Sequence, residues 1–131
     1  MTSLKGKTAL ITGGSDGIGF AVARAFAGKG ADLVIVGRDR EKLDQKAEAL
    51  SRYGGRVLPV SADMGREEAV DRIADAVSEK GAAVDIIVNN VGIARFIPFS
   101  KTGASDLDLH YRTNLRSPYL LTRAALVAMS V

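Results

Sequence analysis

Four short apolar runs alternate with segments of helical periodicity along most of the sequence. The runs cover residues 7–12, 32–37, 57–61 and 84–90. Continuous apolar runs of this length are typical of strands buried on both faces of a parallel sheet. Because parallel neighbours are joined by crossovers of a dozen residues or more, we expect a helix between successive strands. The alternation therefore predicts an α/β fold.

The segments between the runs carry apolar residues at helical spacing. We expect helices from residue 17, over about 40–53, over 66–80, and from about 106 to the last residue. Right-handed crossovers then give a doubly wound, Rossmann-type sheet of strand order 3-2-1-4, in a single domain of residues 1–131. The residues expected to face the sheet are Ile18, Ala21, Val22, Ala25 and Phe26 in the first helix, Leu43, Ala47 and Leu50 in the second, and Val70, Ile73, Ala74 and Val77 in the third.

The composition is that of a folded, water-soluble domain. Hydrophobic residues make up 47% of the chain and charged residues 25%, close to the usual averages. The sequence has no apolar run of about 18 residues and no secretory signal, so we expect a cytoplasmic protein without a membrane partner. It has no cysteine and a single histidine, His110, which argues against a metal site. The net charge of +3 is dispersed and aromatic residues are few, so no nucleic-acid partner is expected.

A glycine-rich segment, TGGSDGIG at 12–19, lies directly after the first strand and directly before the first helix. Gly13 allows a sharp turn, and Gly19 lets the helix pack closely on the strand. The N–H groups and the dipole at the start of a helix favour a pyrophosphate. The segment therefore predicts a dinucleotide site, although a glycine-rich turn without a ligand is the alternative. The residues expected to contact the dinucleotide are Gly13, Ser15, Asp16, Gly17, Ile18 and Gly19.

The spacing of these glycines, G-x-x-x-G-x-G, resembles the cofactor loop of the short-chain dehydrogenase/reductase family. Three further matches follow in order: Asp63 after the third strand, NNVG at 89–92, and Asn114 in the last helical segment. The resemblance covers nearly the whole chain, and Val91 replaces the alanine of the family's NNAG segment. It implies an adenine contact at Asp63, with Met64 beside it.

The same resemblance implies cofactor contacts at Asn90 and Gly92 and a catalytic role for Asn114. The residues themselves leave alternatives open. Asp63 could form a turn before the third helix. Asn90 could close the gap between the sheet and a loop by hydrogen bonds.

The end of the second strand bears on the choice of cofactor. NAD-binding folds carry an acid here that bonds the adenine ribose, but this chain has Gly37 followed by Arg38. Arginine can clasp a 2'-phosphate with paired, charge-assisted hydrogen bonds. NADP(H) is therefore the preferred cofactor. Two alternatives stay open: Arg38, Arg40 and Lys42 merely solvate a helix start that Asp39 caps, or Asp39 reaches the ribose of NAD(H).

The family resemblance implies hydride transfer between nicotinamide and a small-molecule carbonyl or alcohol, as in 3-oxoacyl reductases. In the family a tyrosine moves the proton, a lysine lowers the pKa of that tyrosine, a serine orients the substrate and an asparagine supports the proton path. Only the asparagine has a counterpart here, because neither Tyr111 nor Tyr119 is followed by lysine four residues later. We expect both tyrosines to be packing residues, and no role is assigned to His110.

The chain is therefore expected to be the cofactor-binding portion of an oxidoreductase, incomplete at its C-terminus and inactive by itself. The alternative is a truncated, catalytically inactive module that binds nucleotide or self-associates. Self-association is expected in either case, because the fourth strand would lie at a sheet edge. The last helical segment, with Leu107, Leu115, Leu120, Leu121 and Leu126 among its residues, also resembles the part of the family that forms dimer contacts.

Overall fold

Strands and helices alternate along the chain, as the sequence predicts. A computed structural model describes residues 2–128. The elements are β1 (Thr8–Thr12), α1 (Gly17–Ala27), β2 (Asp32–Gly37), α2 (Arg40–Ser51), β3 (Val57–Ser61), α3 (Ala69–Glu79), β4 (Ile86–Val88), a 3-10 turn (Phe99–Lys101), α4 (Ala104–Tyr111), a π-helical turn (Arg112–Arg116) and α5 (Ser117–Ala128).

The four strands form one parallel sheet in the order β3-β2-β1-β4, which confirms the predicted doubly wound topology. In the register of the sheet, Thr12 lies opposite Val36 and Ile11 lies opposite Val88. The carboxyl ends of β1, β2 and β4 therefore meet at one edge, where the loops that follow these strands come together.

The core is divided into two layers, one on each face of the sheet, because successive residues of a strand point to opposite sides. Leu10 and Val34 pack with α3 and α5, whereas Ile11 and Ile35 pack with α1 and α2. All four side chains are almost fully buried. Burying an aliphatic side chain of this size stabilises the fold by roughly 1.5–3 kcal/mol. The two layers explain why β1 and β2 are apolar at every internal position.

The predicted buried face of α1 is wrong. The residues that face the sheet are Gly19, Ala23 and Ala27, at a spacing of four. Ile18 is 76% exposed, and Ala21 and Ala25 are also exposed, whereas Val22 and Phe26 are half-buried at the flanks. The helix lies so close to β1 that only small residues fit beneath its axis, so the larger side chains are displaced to either side.

Smaller corrections concern α3 and β4. Helix α3 begins at Ala69, which is buried, whereas the predicted core residue Ala74 is exposed. Strand β4 has only the three residues Ile86–Val88, and beyond it the backbone N–H of Asn90 bonds to the hydroxyl of Thr12. The predicted face of α2, Leu43, Ala47 and Leu50, is buried as expected.

The last helical segment is not continuous. It begins at Ala104, two residues before the predicted start, and the π-helical turn separates α4 from α5. The hydroxyl of Ser117, at the start of α5, donates a 2.6 Å hydrogen bond to the carbonyl of Met64. The extra residue in a π-helical turn changes the direction in which later side chains project. The predicted continuation of the helix to Val131 lies outside the described residues.

The side chains of this segment correct one further expectation. Leu121 is buried and Leu120 is half-buried, but Leu107, Leu115 and Leu126 are exposed. Tyr111 and Tyr119 are also exposed, so the prediction that they are packing residues is wrong for the described part of the chain. No helix within residues 2–128 is long and apolar enough to cross a membrane.

Candidate dinucleotide site

The predicted site residues gather at the edge of the sheet where β1, β2 and β4 end. The glycine-rich loop follows β1, Gly37 ends β2 and is followed by Arg38, and NNVG follows β4. In doubly wound folds this edge is where ligands bind. The parallel pairing of the strands thus brings together segments that are far apart in the sequence.

Gly13, Gly19 and Asn90 form the centre of the site. Gly13 has a φ of +66°, and a Cβ atom added there would lie 2.7 Å from Nδ2 of Asn90. A Cβ atom at Gly19 would lie 2.1 Å from the Gly13 carbonyl oxygen and 2.6 Å from the same Nδ2. The Asn90 amide donates to the Gly13 carbonyl at 3.4 Å. Neither glycine has room for a side chain, so the loop and the start of α1 stay close to the end of β4. We call Gly13, Gly19 and Asn90 the glycine cradle.

Thr12 fixes the end of β4 against the end of β1. Its hydroxyl oxygen accepts hydrogen bonds from the backbone N–H groups of Asn90, at 3.0 Å, and of Val91, at 3.2 Å. The side chain is buried, with 1% of its surface exposed. Thr12 was not among the predicted site residues. The only sequence signal for its role is a polar residue at the last position of a strand whose internal positions are all apolar.

The start of α1 is open toward solvent at Gly17. This residue has a φ of +50°, and no atom lies within 4 Å of the position of an added Cβ. The first N–H groups of a helix have no acceptor within the helix and can therefore bind an anion. The exposed side chain of Ile18 lies next to this surface. The helix start is tightly packed at Gly19 and open at Gly17. This arrangement would let a pyrophosphate approach the backbone N–H groups from the open side.

Asp16 caps α1 and contacts α2. Its carboxylate accepts a hydrogen bond from the N–H of Gly17 at 2.9 Å and forms an ion pair with the ammonium of Lys42. The hydrogen bond from Lys42 is the main reason that the pKa of Asp16 lies below its ordinary value, and the bond from Gly17 adds to it. Asp16 therefore carries a full negative charge at neutral pH.

Position 37 leaves little space for the acid that NAD-binding folds carry there. A Cβ atom on Gly37 would lie 2.8 Å from the hydroxyl oxygen of Ser15 and 3.3 Å from Cδ1 of Leu43. Ser15 is itself buried, and its side chain lies against the end of β2. The side chain of Arg38 is exposed, while the carboxylate of Asp39 accepts a hydrogen bond from the N–H of Lys42 at 3.0 Å. Asp39 thus caps α2.

A cavity of about 430 Å³ extends the site beyond the ends of β2 and β3. Asp63 lines it, and its carboxylate accepts a hydrogen bond from the N–H of Gly65 at 2.9 Å, as in a turn. Met64 is 3% exposed and its side chain lies in the hydrophobic core, away from the cavity. The charged side chains that line the cavity are Arg38, Asp63, Arg66, Glu68 and Arg72.

Asn114 lies in the π-helical turn and bonds to the loop after β4. Its amide accepts from the N–H of Ile93 and donates to the carbonyl of Ile93, both at 2.8 Å. Its Oδ1 would lie 3.6 Å from a Cβ on Gly92, so the two predicted residues are neighbours. Asn114 therefore holds the segment that leads away from Asn90.

His110 has a structural environment. Its Nε2 accepts a hydrogen bond from the N–H of Arg95 at 3.2 Å, and its Nδ1 lies 2.7 Å from the carbonyl oxygen of Asp106. Both nitrogens are thus used by the backbone when the proton is on Nδ1. The half-buried imidazole supports the loop before α4.

The sequence and the structure each resemble those of known dehydrogenases and reductases. A sequence model of the family described as short chain dehydrogenase matches residues 7–130. A short chain dehydrogenase of Pseudocercospora fijiensis is 40% identical over an alignment of 129 residues, and the match covers 96% of this chain and 41% of that protein. L-sorbose reductase from Gluconobacter frateurii, solved with NADPH and L-sorbose, has a TM-score of 0.93 and 32% identity, over 97% of this chain and 49% of that one.

A short chain dehydrogenase from Burkholderia cenocepacia, solved in complex with NADP, has a TM-score of 0.91 and 33% identity. The match covers 98% of this chain and 53% of that one. The chain therefore spans from 41% to 53% of the length of these three proteins.

Proposed function

This chain belongs to the short-chain dehydrogenase family, and from that premise we propose that it is the NADP(H)-binding part of an oxidoreductase. The reaction would pass hydride between nicotinamide and a small-molecule carbonyl or alcohol. The observation that carries the proposal is the glycine cradle, in which Gly13, Gly19 and Asn90 leave no room for side chains beneath an open helix start. An ordinary glycine-rich turn does not need such close approach on one side and open space on the other.

The residues around the cradle each have a proposed task. The N–H groups at the start of α1 hold the pyrophosphate, and Ile18 covers the cofactor from the solvent side. The guanidinium of Arg38 holds the 2'-phosphate, and Asp63 contacts the adenine. When bound, the nicotinamide donates or accepts the hydride. Preference for the phosphorylated cofactor is supported by the crowded Gly37 and by the use of Asp39 as a helix cap.

Asn114 and Gly92 are proposed to line the nicotinamide end of the site. The paired bonds from Asn114 to Ile93 hold the loop after β4 in place. The asparagine therefore orders the backbone beside which a proton path can form. No tyrosine in this sequence is followed by lysine four residues later. We therefore expect residues 1–131 alone to bind NADP(H) without reducing carbonyl compounds at enzymatic rates.

The test is a titration of the purified chain with NADPH, followed by the fluorescence of the nicotinamide. We expect a saturable change with one site per chain, and no consumption of NADPH when ketones or 3-oxoacyl thioesters are added. A Gly13→Asp variant should lose the fluorescence change, because its carboxylate would lie in the cradle. If wild type and Gly13→Asp give the same titration, the proposed site is wrong. Sustained turnover that Gly13→Asp abolishes would contradict the proposed inactivity of these residues.

Self-association is a second candidate function, and the exposed surface beside β4 favours it. Strand β4 lies at the edge of the sheet, so one row of its backbone hydrogen-bonding groups has no partner strand among the described residues. Beside it lies an open groove of about 750 Å³ lined mainly by apolar side chains of α5, including Tyr119, Leu126 and Val127. The proposed occupant is a second copy of the chain, whose identical edge strand offers the complementary hydrogen-bonding groups.

A further inference from the structure

An ion pair ties the loop after β1 to the first turn of α2. The Nζ atom of Lys42 lies 2.5 Å from Oδ2 of Asp16, and the two side chains are 40% and 77% exposed. Asp16 is fixed by its hydrogen bond from Gly17, and the backbone of Lys42 is fixed by its bond to Asp39. Each partner is thus held at the start of a helix, and the pair bridges the two helix starts.

The pair lies near Arg38, on the rim that the segments after β1 and β2 form. Strands β1 and β2 are neighbours in register, and Ser15, which precedes Asp16, packs against Gly37, which precedes Arg38. Asp16 is therefore the carboxylate that a phosphate held by Arg38 would meet from the β1 side. A charged carboxylate on this rim would repel a phosphate, and at low ionic strength salt screens this repulsion only partly, because the screening length is then longer than the distance between neighbouring groups.

We propose that Lys42 is a specificity-determining, positioning residue that allows this rim to accept the 2'-phosphate of NADP(H) by neutralising Asp16. The inference rests on the proposed function, since it concerns the same cofactor. Without Lys42, Asp16 would oppose a group that carries close to two negative charges at neutral pH. NAD(H) has a free hydroxyl in that position and would be affected less, because only its pyrophosphate, which both cofactors carry, would meet the charge of Asp16. Lys42 therefore acts on the choice between the two cofactors more than on binding in general.

The inference is tested by the dissociation constants of NADPH and NADH, measured by nicotinamide fluorescence at low ionic strength. Lys42→Met should raise the dissociation constant of NADPH about fivefold and that of NADH less than about twofold. Asp16→Asn, which removes the carboxylate and keeps the ammonium of Lys42, should lower the dissociation constant of NADPH relative to that of NADH. The double variant Asp16→Asn/Lys42→Met should return to within about twofold of wild type, because Lys42 acts through Asp16.

Arg40→Met is the matched control. It removes the same charge from the same helix start, but Arg40 pairs with Asp44 at 3.1 Å and not with Asp16. We expect it to change the NADPH affinity by less than about twofold. Thermal unfolding of every variant tests whether it is folded. A purely structural effect would lower the affinity for both cofactors alike.

Three results would overturn the inference while wild type still binds NADPH. These are equal losses for NADPH and NADH in Lys42→Met, equal losses in Lys42→Met and Arg40→Met, or a double variant as weak as Lys42→Met alone. The last result would mean that the ammonium contacts the phosphate directly. Failure of wild type to bind either dinucleotide would instead overturn the proposed function, and the inference with it.

Discussion

The side-chain amide of Asn90 occupies space that any side chain on Gly19 would need. Its Nδ2 lies 2.6 Å from the position of a Cβ at residue 19, and the carbonyl oxygen of Gly13 lies closer still, at 2.1 Å. The end of β4 and the start of α1 are therefore fitted to each other through a residue that has no side chain. Both the stability of the fold and the shape of the proposed cofactor site therefore depend on this contact.

Gly19→Ala should destabilise the chain by about 3 kcal/mol, because the added methyl group meets a backbone oxygen that cannot move without shifting the loop. Urea denaturation measures the change. Gly28→Ala is the control, since its Cβ would meet no atom closer than 3.4 Å and its φ of −62° is helical. A Gly19→Ala variant as stable as Gly28→Ala would contradict the close packing of the cradle.

Arg38→Asp should shift the cofactor preference from NADPH toward NADH. The change removes the proposed phosphate contact and puts a carboxylate where the ribose hydroxyls would lie. Loss of a charge-assisted contact is expected to weaken NADPH binding roughly ten- to hundredfold. Arg40→Asp makes the same change in charge two residues away and should have a much smaller effect. If titration gives an unchanged affinity for NADPH, the proposed role of Arg38 is wrong.

Asn114→Ala should loosen the loop after β4. It removes both hydrogen bonds to Ile93, and we expect a loss of about 1–2 kcal/mol in the free energy of unfolding. Hydrogen exchange at the Ile93 amide should become faster. Asn89→Ala, which removes a single 3.0 Å bond to Thr122, is the control and should leave that amide protected. Equal protection in wild type and Asn114→Ala would show that the loop is held by other contacts.

Asp32 should contribute stability that is lost in acid. The N–H of Arg56 donates to its carboxylate at 2.8 Å, and the guanidinium adds two further bonds. The backbone bond is the main cause that lowers the pKa of Asp32 from its ordinary 3.8. Because the folded pKa is the lower one, the contribution is complete above about pH 4 and disappears as the pH falls through the folded pKa.

The measurement for Asp32 is the free energy of unfolding as a function of pH. Asp32→Asn should lose about 1 kcal/mol at pH 7 and show a shallower decline below pH 4 than wild type. Asp44→Asn removes an exposed partner of Arg40 and should lie close to wild type throughout. Parallel acid profiles for wild type and Asp32→Asn would rule out this contribution.

The purified chain should self-associate through the surface beside β4. Light scattering over a dilution series is expected to give a mass above that of one chain at micromolar concentration. Leu126→Glu puts a charge into the exposed apolar groove and should reduce the mass. Tyr53→Glu changes an exposed residue near the end of α2, away from that groove, and serves as the control. A stable monomer at all concentrations would exclude self-association.

The sequence predicted the sheet because its signals are local or follow from general rules of connection. The bounds of β2 and β3 were predicted without error, and the order 3-2-1-4 follows from right-handed crossovers. The buried face of α2 was predicted because its large residues are the ones that face the core. In α1 the small residues face the core, so a search for large apolar residues identified the flanks instead.

The remaining features depend on contacts between distant segments. The π-helical turn is accompanied by bonds from Asn114 to Ile93 and from Ser117 to Met64, neither of which can be read from helical periodicity. The pairing of Lys42 with Asp16 likewise requires that α1 and α2 start side by side. The sequence could predict which glycines and asparagines belong to the candidate site. It could not predict the distances of a few ångströms between them.

Strand β4 also affects the order in which the chain is expected to fold. Strands β1, β2 and β3 pair with neighbours about 24 residues away in sequence, whereas Thr12 meets Asn90 across 78 residues. Closing the longer loop has a higher entropic cost and makes contacts of this kind slow to form. A nascent chain could thus complete the first three strands before Asn90 packs against Gly13 and Gly19. We expect the ability to bind a dinucleotide to appear late during folding, after most of the secondary structure.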